Sequence, residues 1–485
     1  MDNPDSQFNN PEIDTTQDPP PIPSSFTTPW STALTSSASP SFPDYHQTPH
    51  PFTDLSAPCT PLSITTGTGA AIFTSTLLPA LLSARREIIL VTCFWAASPT
   101  LTALSASLTA LAARRSAASP RLRIALCFSS SGVLQKLRHP QTTRGRTYAP
   151  HEWPALGLPT KSVLDAAGIV LSVRSLFFLP FSVMHPKYVI VDRCRAWLPS
   201  CNVSWEAWFE TCLAVEGEIV DRLFEYYRHV WDVQDAASPS HFPLPPLEPG
   251  ETENEPDSRQ AAESTPSPCT SRNQLIFAPG TRCSALLLPS SHHTNPHFRP
   301  WPLAAPPPPT TPLNAALLTL FATAQRHIEI LSPNVTSEPA VGALLGALGR
   351  GVHVTLRTSR NMMLVEQLVT AGTTTAWTLG SLIRRYEALC AQRDKEDEEF
   401  GGLAVGRLEV FYYKPLAESD DEEEPVLAHA KVVLVDDEYV VLGSGNMDRA
   451  SWYTSQELGL LLYKPGFRGA VWQKPLETRQ EPIYP

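Results

Sequence analysis

A chain of 485 residues can hold two core-forming units with flexible extras. Its net charge of −11 supplies no overall basic field to gather nucleic acid and leaves room only for a local basic pocket. Nine scattered cysteines, without CxxC or zinc-ligand spacing, argue against a disulfide framework or a zinc module and read as reduced thiols.

The 49 prolines, about twice the usual share, gather in a few stretches. Residues 1–60 are rich in Pro, Ser and Thr without apolar periodicity, and read as a disordered tail. With no Lys or Arg before Arg85, neither a secretory signal nor a mitochondrial presequence is expected. A first structured unit is expected over 61–232. Gly67-Thr68-Gly69 lacks the Gly-Lys-Ser/Thr that completes a P-loop and reads as the lead-in to a helix. An amphipathic helix over Leu77–Arg86 runs into a strand at Glu87–Cys93. A Leu-rich helix over Leu101–Arg115 then runs into a strand at Arg121–Phe128, and a further strand is expected at Ile169–Val173. The most apolar window, Leu77–Trp95, is interrupted by Arg85, Arg86 and Glu87 and falls short of the roughly 20 apolar residues of a membrane span.

Residues 233–275 read as a disordered linker. The second unit, 276–475, repeats the order of the first. Its helix Leu313–Arg326 leads into His327–Leu331, its helix Val341–Arg350 into Val352–Arg357, and a strand follows at Leu408–Tyr412. An acidic insertion is expected at about 393–425 and a tail at 476–485. His292, His293 and His297 lie in a Pro/Ser/Thr-rich loop without partner carboxylates, so no metal site is expected there. The expected fold is α/β: two similar α-β-α sandwich repeats packed as a pseudo-dimer around one shared active site, in a monomeric chain.

One motif occurs in both units. Met184-His185-Pro186-Lys187-Tyr188-Val189-Ile190-Val191-Asp192 is followed after six residues by Pro199-Ser200-Cys201-Asn202. Ala428-His429-Ala430-Lys431-Val432-Val433-Leu434-Val435-Asp436 is followed after six by Gly443-Ser444-Gly445-Asn446. His and Lys at i and i+2 of an extended chain share a face. Asp192 and Asp436 then begin tight turns, and the return strands bring Ser and Asn back beside His and Lys. Two such hairpins facing one another present two imidazoles, two ammonium groups and two amides. That set suits a phosphodiester. Lys187, Lys431, Asn202 and Asn446 supply donors for the non-bridging oxygens, while one imidazole attacks phosphorus and the other manages the proton of the leaving oxygen. Fixed cations take the part that Mg²⁺ plays elsewhere, so neither metal nor cofactor is expected. Ser200 and Ser444, beside His and Asn, read as hydrogen-bonding groups rather than nucleophiles.

This pattern resembles the HKD signature of the phospholipase D superfamily over most of residues 65–475. The sequence Trp205-Glu206-Ala207-Trp208-Phe209-Glu210 looks most like the cardiolipin synthase and phospholipase D branches. The resemblance implies that His185 is the nucleophile and His429 the general acid and base. It also implies that Glu210 and Glu457 each orient an imidazole through its second nitrogen. The implied substrate is a phospholipid, with water or an alcohol as acceptor; phosphatidylglycerol as acceptor would give cardiolipin. A cytoplasmic or peripheral membrane location follows, with peripheral membrane contact.

Two features depart from the family pattern. Pro199 stands where a glycine is usual, and Glu210 lies eight residues after Asn202 whereas Glu457 lies eleven after Asn446. Two other functions are weighed. A nuclease with the same machinery is disfavoured by the acidic charge and the lack of a basic stripe interleaved with aromatics. A catalytically weak membrane-associated scaffold is suggested by Pro199 and the long tails. Phe177-Phe178-Leu179-Pro180-Phe181 reads equally as an acyl-chain contact or as a buried strand with a loop. Trp205, Trp208, Trp452 and Tyr453 read as core or as the substrate mouth, and Asp420–Glu424 as a solvated loop or an anionic gate.

Overall fold

The computed structural model describes residues 18–36, 50–116, 119–179, 182–232, 273–290, 307–400, 404–415, 424–466 and 479–484. The first repeat contains β1 (Ser56–Gly67), β2 (Glu87–Phe94), β3 (Leu122–Ser130), β4 (Arg146–Thr147) and β5 (Ile169–Ser175). A small ribbon follows, β6 (Phe177–Phe178) with β7 (Ser182–Val183), and then β8 (Tyr188–Val191), β9 (Arg195–Pro199) and β10 (Trp208–Glu216). After β11 (Asn273–Ile276), the second repeat contributes β12 (Cys283–Ser290), β13 (His327–Leu331), β14 (His353–Thr358) and β15 (Leu408–Tyr413). It ends with β16 (Leu427–Ala428), β17 (Val432–Val435), β18 (Tyr439–Gly443), β19 (Glu457–Tyr463) and β20 (Gln480–Tyr484).

Hydrogen bonding orders the first repeat β1-β10-β9-β8-β2-β3-β5-β4, with β2, β3 and β5 parallel and the rest antiparallel. The second is ordered β12-β19-β18-β17-β13-β14-β15-β20, with β13, β14 and β15 parallel. The duplication expected from the sequence is therefore present strand for strand. Ser56–Cys59 of β1 pairs with Cys283–Leu286 of β12, which fuses the two sheets at their antiparallel edges. Parallel strands need crossover helices, and these cover the sheet. In Pro99–Ala113 the buried residues Leu101, Leu104, Leu108 and Leu111 recur at helical spacing, and the Ser98 hydroxyl caps the first turn by accepting from the Leu101 N–H at 3.1 Å. The helix Glu338–Gly349 does the same in the second repeat through Val341, Leu344 and Leu348.

The motif strands β8 and β17, Tyr-Val-Ile-Val and Val-Val-Leu-Val, are buried along their whole length, as central strands with both faces covered must be. At their ends Asp192, Arg193, Asp436 and Asp437 have positive φ, the hairpin geometry that Asp tolerates best after Gly and Asn. The Asp192 carboxylate accepts from the N–H groups of Arg85, Arg86 and Glu87 at 2.7–3.0 Å, and Asp436 does so from Gln325, Arg326 and His327. Both motif aspartates thus tie a hairpin to the start of β2 or β13, as the turn reading expects.

The structure differs from the sequence reading at the boundaries. Within the stretch expected as a tail, Ser24–Ser36 is a helix and β1 begins at Ser56. Phe26 and Trp30, one helical turn apart, are buried on the second repeat. The Trp30 indole donates to the Pro312 carbonyl at 3.0 Å, and the Phe26 ring lies 5.8 Å from that of Tyr439. Burying two aromatics, at about 1.5–3 kcal/mol each, holds a helix that its Pro/Ser/Thr composition conceals. Asn273–Ile276, placed at the linker's end and just beyond it, pairs with β1. The helix Thr375–Phe400 takes the first part of the expected insertion, and β20 adds an edge strand to β15 where a tail was expected. Residues 1–17, 37–49, 233–272 and 416–423 lie outside the described residues, as do His292, His293, His297, Pro180 and Phe181. None of the eight described cysteines forms a disulfide. Among the described residues no helix is long and apolar enough to cross a membrane.

Candidate active site

Each motif histidine rides on a short segment that leaves its own repeat and joins the other. β16 pairs in parallel with Trp208–Phe209 at the start of β10, and the His429 N–H donates to the Phe209 carbonyl at 2.8 Å. Reciprocally, Met184 bridges in parallel to Gln456, and the His185 N–H donates to the Gln456 carbonyl at 2.9 Å. The residue after each docking point is a glutamate, Glu210 or Glu457. The crossing therefore carries each imidazole to the carboxylate of the other repeat: His185 Nδ1 lies 2.9 Å from Glu457 and His429 Nδ1 lies 2.7 Å from Glu210. Sequence reasoning assigned an imidazole to each glutamate without saying which; the pairing is crossed.

Both glutamates are buried and anchored from behind. Ser200 Oγ donates to Glu210 at 2.5 Å and Ser444 Oγ to Glu457 at 2.5 Å, while each serine also accepts from the N–H of Thr211 or Leu458. The motif serines thus hold the carboxylates. Ser451 Oγ adds a third bond to Glu457, at 2.8 Å. Ser451 in turn is tied to Asp448, which accepts its N–H at 2.8 Å and takes an amide proton from Asn446 at 2.9 Å. In the first repeat the Asn202 carbonyl accepts from the Phe94 N–H at 3.2 Å, leaving its amino group for other partners. Lys187 donates to the His185 carbonyl at 2.9 Å and Lys431 to the His429 carbonyl, which leaves further protons on each buried ammonium.

The electrostatics couple the two motifs. Burial pushes the His185 imidazole below its ordinary value, helped by Lys187 and Lys431 and opposed by Glu457. Burial also takes His429 down to about 3, with Lys431 and Lys187 adding and Glu210 opposing. Each imidazole feels the lysines of both repeats. Lys431 is itself lowered to about 7, by burial first and then by Lys187. Burial acts to raise the Glu210 carboxyl, but His429, Lys431 and Ser200 outweigh it and hold the group below the usual carboxylate range. With Nδ1 turned to a carboxylate, each neutral ring keeps its lone pair on Nε2, the nitrogen that can attack or accept a proton.

The two departures from the family pattern leave this geometry intact. Pro199 lies opposite Cys212, and the next residue still donates Ser200 N–H to the Thr211 carbonyl at 2.7 Å, as Ser444 does to Leu458 at 2.9 Å. Gly443 lies opposite Gly459 instead, where an added Cβ would stand 2.2 Å from the Leu458 carbonyl. The three extra residues before Glu457 are absorbed by a helical turn, Arg449–Tyr453, whose buried Trp452 and Tyr453 are core. Trp208 packs on the His429 ring with centroids 4.7 Å apart, whereas Trp205 is exposed beside Phe94. Phe177 and Phe178 are buried, in keeping with the buried-strand reading. Asp448, Ser451 and Gln456 were not singled out from sequence; Gln456 acts through its backbone carbonyl, as Phe209 does before Glu210, and Ser451 lies in the helical turn that the first motif lacks. Among the described residues no three His, Cys, Asp or Glu side chains cluster as a metal site.

Residues 317–474 match the family model of the cardiolipin synthase phospholipase D-like domain. No curated protein sequence matches the chain. Among solved structures, phosphatidylserine synthase from Haemophilus influenzae Rd KW20 aligns over 88% of this chain and 87% of its own, at 14% identity and a TM-score of 0.50. Polyphosphate kinase from Porphyromonas gingivalis aligns over 84% of this chain and 49% of its own, at 11% identity and a TM-score of 0.40. Nuc, a phospholipase D family member from Salmonella typhimurium, aligns over 35% of this chain and 90% of its own, at 16% identity and a TM-score of 0.23. The second repeat thus carries a phospholipase D-like domain, and the whole chain shares the fold of the Haemophilus influenzae structure.

Proposed function

We propose that the chain cleaves or exchanges the head group of a phospholipid through a covalent phosphohistidine. The observation that supports this is the pair of crossed imidazole–carboxylate contacts, with both imidazoles within electrostatic reach of the two buried lysines. In this reading His185 Nε2 attacks phosphorus, and the bond from phosphorus to the head-group oxygen breaks. His429 gives that oxygen its proton. His429 then takes a proton from water or an alcohol, whose oxygen attacks phosphorus and expels His185. Lys187, Lys431, Asn202 and Asn446 bind the non-bridging oxygens and stabilise the charge that builds at phosphorus. Burial keeps both imidazoles neutral before substrate arrives; binding of the phosphodiester anion is coupled to uptake of one proton from solvent at His429 Nε2, and that proton is the one passed to the leaving oxygen.

The test offers the purified full chain mixed phospholipids and single-stranded DNA, with and without glycerol, in the presence of EDTA. Released head group, and a glycerol adduct when glycerol is present, are expected without metal. An acid-labile phosphoryl adduct on His185 should accumulate on rapid quenching. Cleavage of DNA but not lipid, or activity abolished by EDTA, would overturn the proposal.

A further inference from the structure

Two short helices occupy equivalent places in the repeats: Val133–Leu137 follows β3 and Leu364–Ala371 follows β14. Both are built the wrong way round for a soluble surface. A surface helix normally turns its aliphatic stripe inward. The first buries none of its residues, and the only one the second buries is Gln367. The amides face the protein instead. Gln135 reaches Ser175 at 3.3 Å, and Gln367 accepts from the Thr375 N–H at 2.6 Å and from its hydroxyl at 2.9 Å. The aliphatic side chains face out, with Val133 75%, Leu137 64% and Val365 76% exposed, and Leu134, Leu368 and Val369 exposed beside them. Single exposed aliphatics are ordinary, but two clusters at symmetry-equivalent places mark an interaction surface.

Both helices lie near the motif residues, since Lys136 and Glu366 act on Cys93 together with Lys187 and Glu457. Lys136 lies over the Phe177 ring at 5.5 Å, on the ribbon that leads to His185. The second helix packs on Arg449–Tyr453, where Arg449 donates to the Thr370 carbonyl at 2.9 Å. Glu366 lies within electrostatic reach of Lys136 on the first helix and of Asp448 and Glu457 in the second repeat. Charge accompanies the apolar groups: Lys136 lies on the first helix and the exposed Arg138 and Arg144 follow it within eight residues, in a chain of net charge −11.

We infer that these helices form a docking rim that seats the active-site mouth on an anionic lipid surface. The inference rests on the phospholipid reading above and adds the surface on which that substrate is met. A protein partner spanning both helices would cover the mouth, whereas a bilayer occupies the rim and delivers substrate through it. Aliphatic side chains enter the acyl boundary, and the basic cluster meets lipid phosphates.

The test is flotation of the full chain with vesicles of phosphatidylcholine alone and with phosphatidylglycerol added. Val133→Glu with Leu137→Glu, and separately Val365→Glu with Val369→Glu, should each lower partitioning roughly 100-fold. Replacing Lys136, Arg138 and Arg144 by Gln should remove the preference for phosphatidylglycerol vesicles. Melting curves and hydrolysis of soluble bis(p-nitrophenyl) phosphate should stay as in the parent, showing that fold and site survive. Unchanged flotation in both double variants would overturn the inference, as would loss of a concentration-dependent dimer on light scattering with vesicle binding retained. Because flotation needs no turnover, a failure of the proposed lipid chemistry would leave its result standing.

Discussion

The two half-sites do the same work with unequal support. Glu457, which holds His185, is anchored by Ser444 and Ser451; among the described residues Glu210, which holds His429, has the hydroxyl of Ser200 as its anchor. The extra anchor comes from the helical turn that lengthens the second motif, and it is delivered across the repeat boundary to the first histidine. The backbone shows the opposite asymmetry. The first repeat accepts Pro199 at the place where the second has no room for a Cβ on Gly443. The better-braced imidazole is the one proposed to attack, for which a fixed lone pair matters most.

The largest effect is expected from removing the imidazoles. His185→Ala and His429→Ala should each cost on the order of 10⁴-fold in turnover, and the double variant scarcely more, because the two act as a unit. Only His429→Ala should be partly rescued by substrates with a good leaving group; rescue of His185→Ala instead would exchange their roles. Glu210→Gln and Glu457→Gln come next, at about 100-fold each through mis-set tautomers. Ser451→Ala should cost roughly tenfold and be felt in nucleophilic attack, with no first-repeat counterpart. The pH dependence is smaller. Lys431 is charged below about 7 and neutral above it, so KM should rise as pH climbs past that point while kcat changes little. Lys431→Arg, which keeps its charge, should flatten the rise. Smallest of all is Pro199→Gly, expected within about 1 kcal/mol of the parent in a melting experiment. Gly443→Ala should cost more than about 2 kcal/mol, since backbone must move to admit it. Equal costs at the two positions would remove the backbone asymmetry.

Much of this was legible in the sequence because it is local. The alternation of His and Lys, the four buried residues of each motif strand and the turn aspartates all follow from period two and hairpin chemistry. The duplicated order of helices and strands gave the two-repeat fold. The crossed pairing was not legible, since 272 residues separate His185 from Glu457 and 219 separate Glu210 from His429. Neither local propensity nor spacing encodes a contact made when two finished surfaces meet. The helix Ser24–Ser36 escaped because two aromatic anchors decide it, inside a composition that reads as solvated chain. Gln135 and Gln367 were missed because their inward orientation contradicts the rule by which helix faces are read.

The exchange of histidine-bearing segments has a consequence for synthesis. As the chain leaves the ribosome, His185 is complete long before Glu457, and His429 has no carboxylate until its repeat docks on the first. A nascent or half-folded molecule therefore carries two unoriented imidazoles and no assembled catalyst. On the proposed function, reactivity toward phosphodiesters is withheld until both halves have matured together.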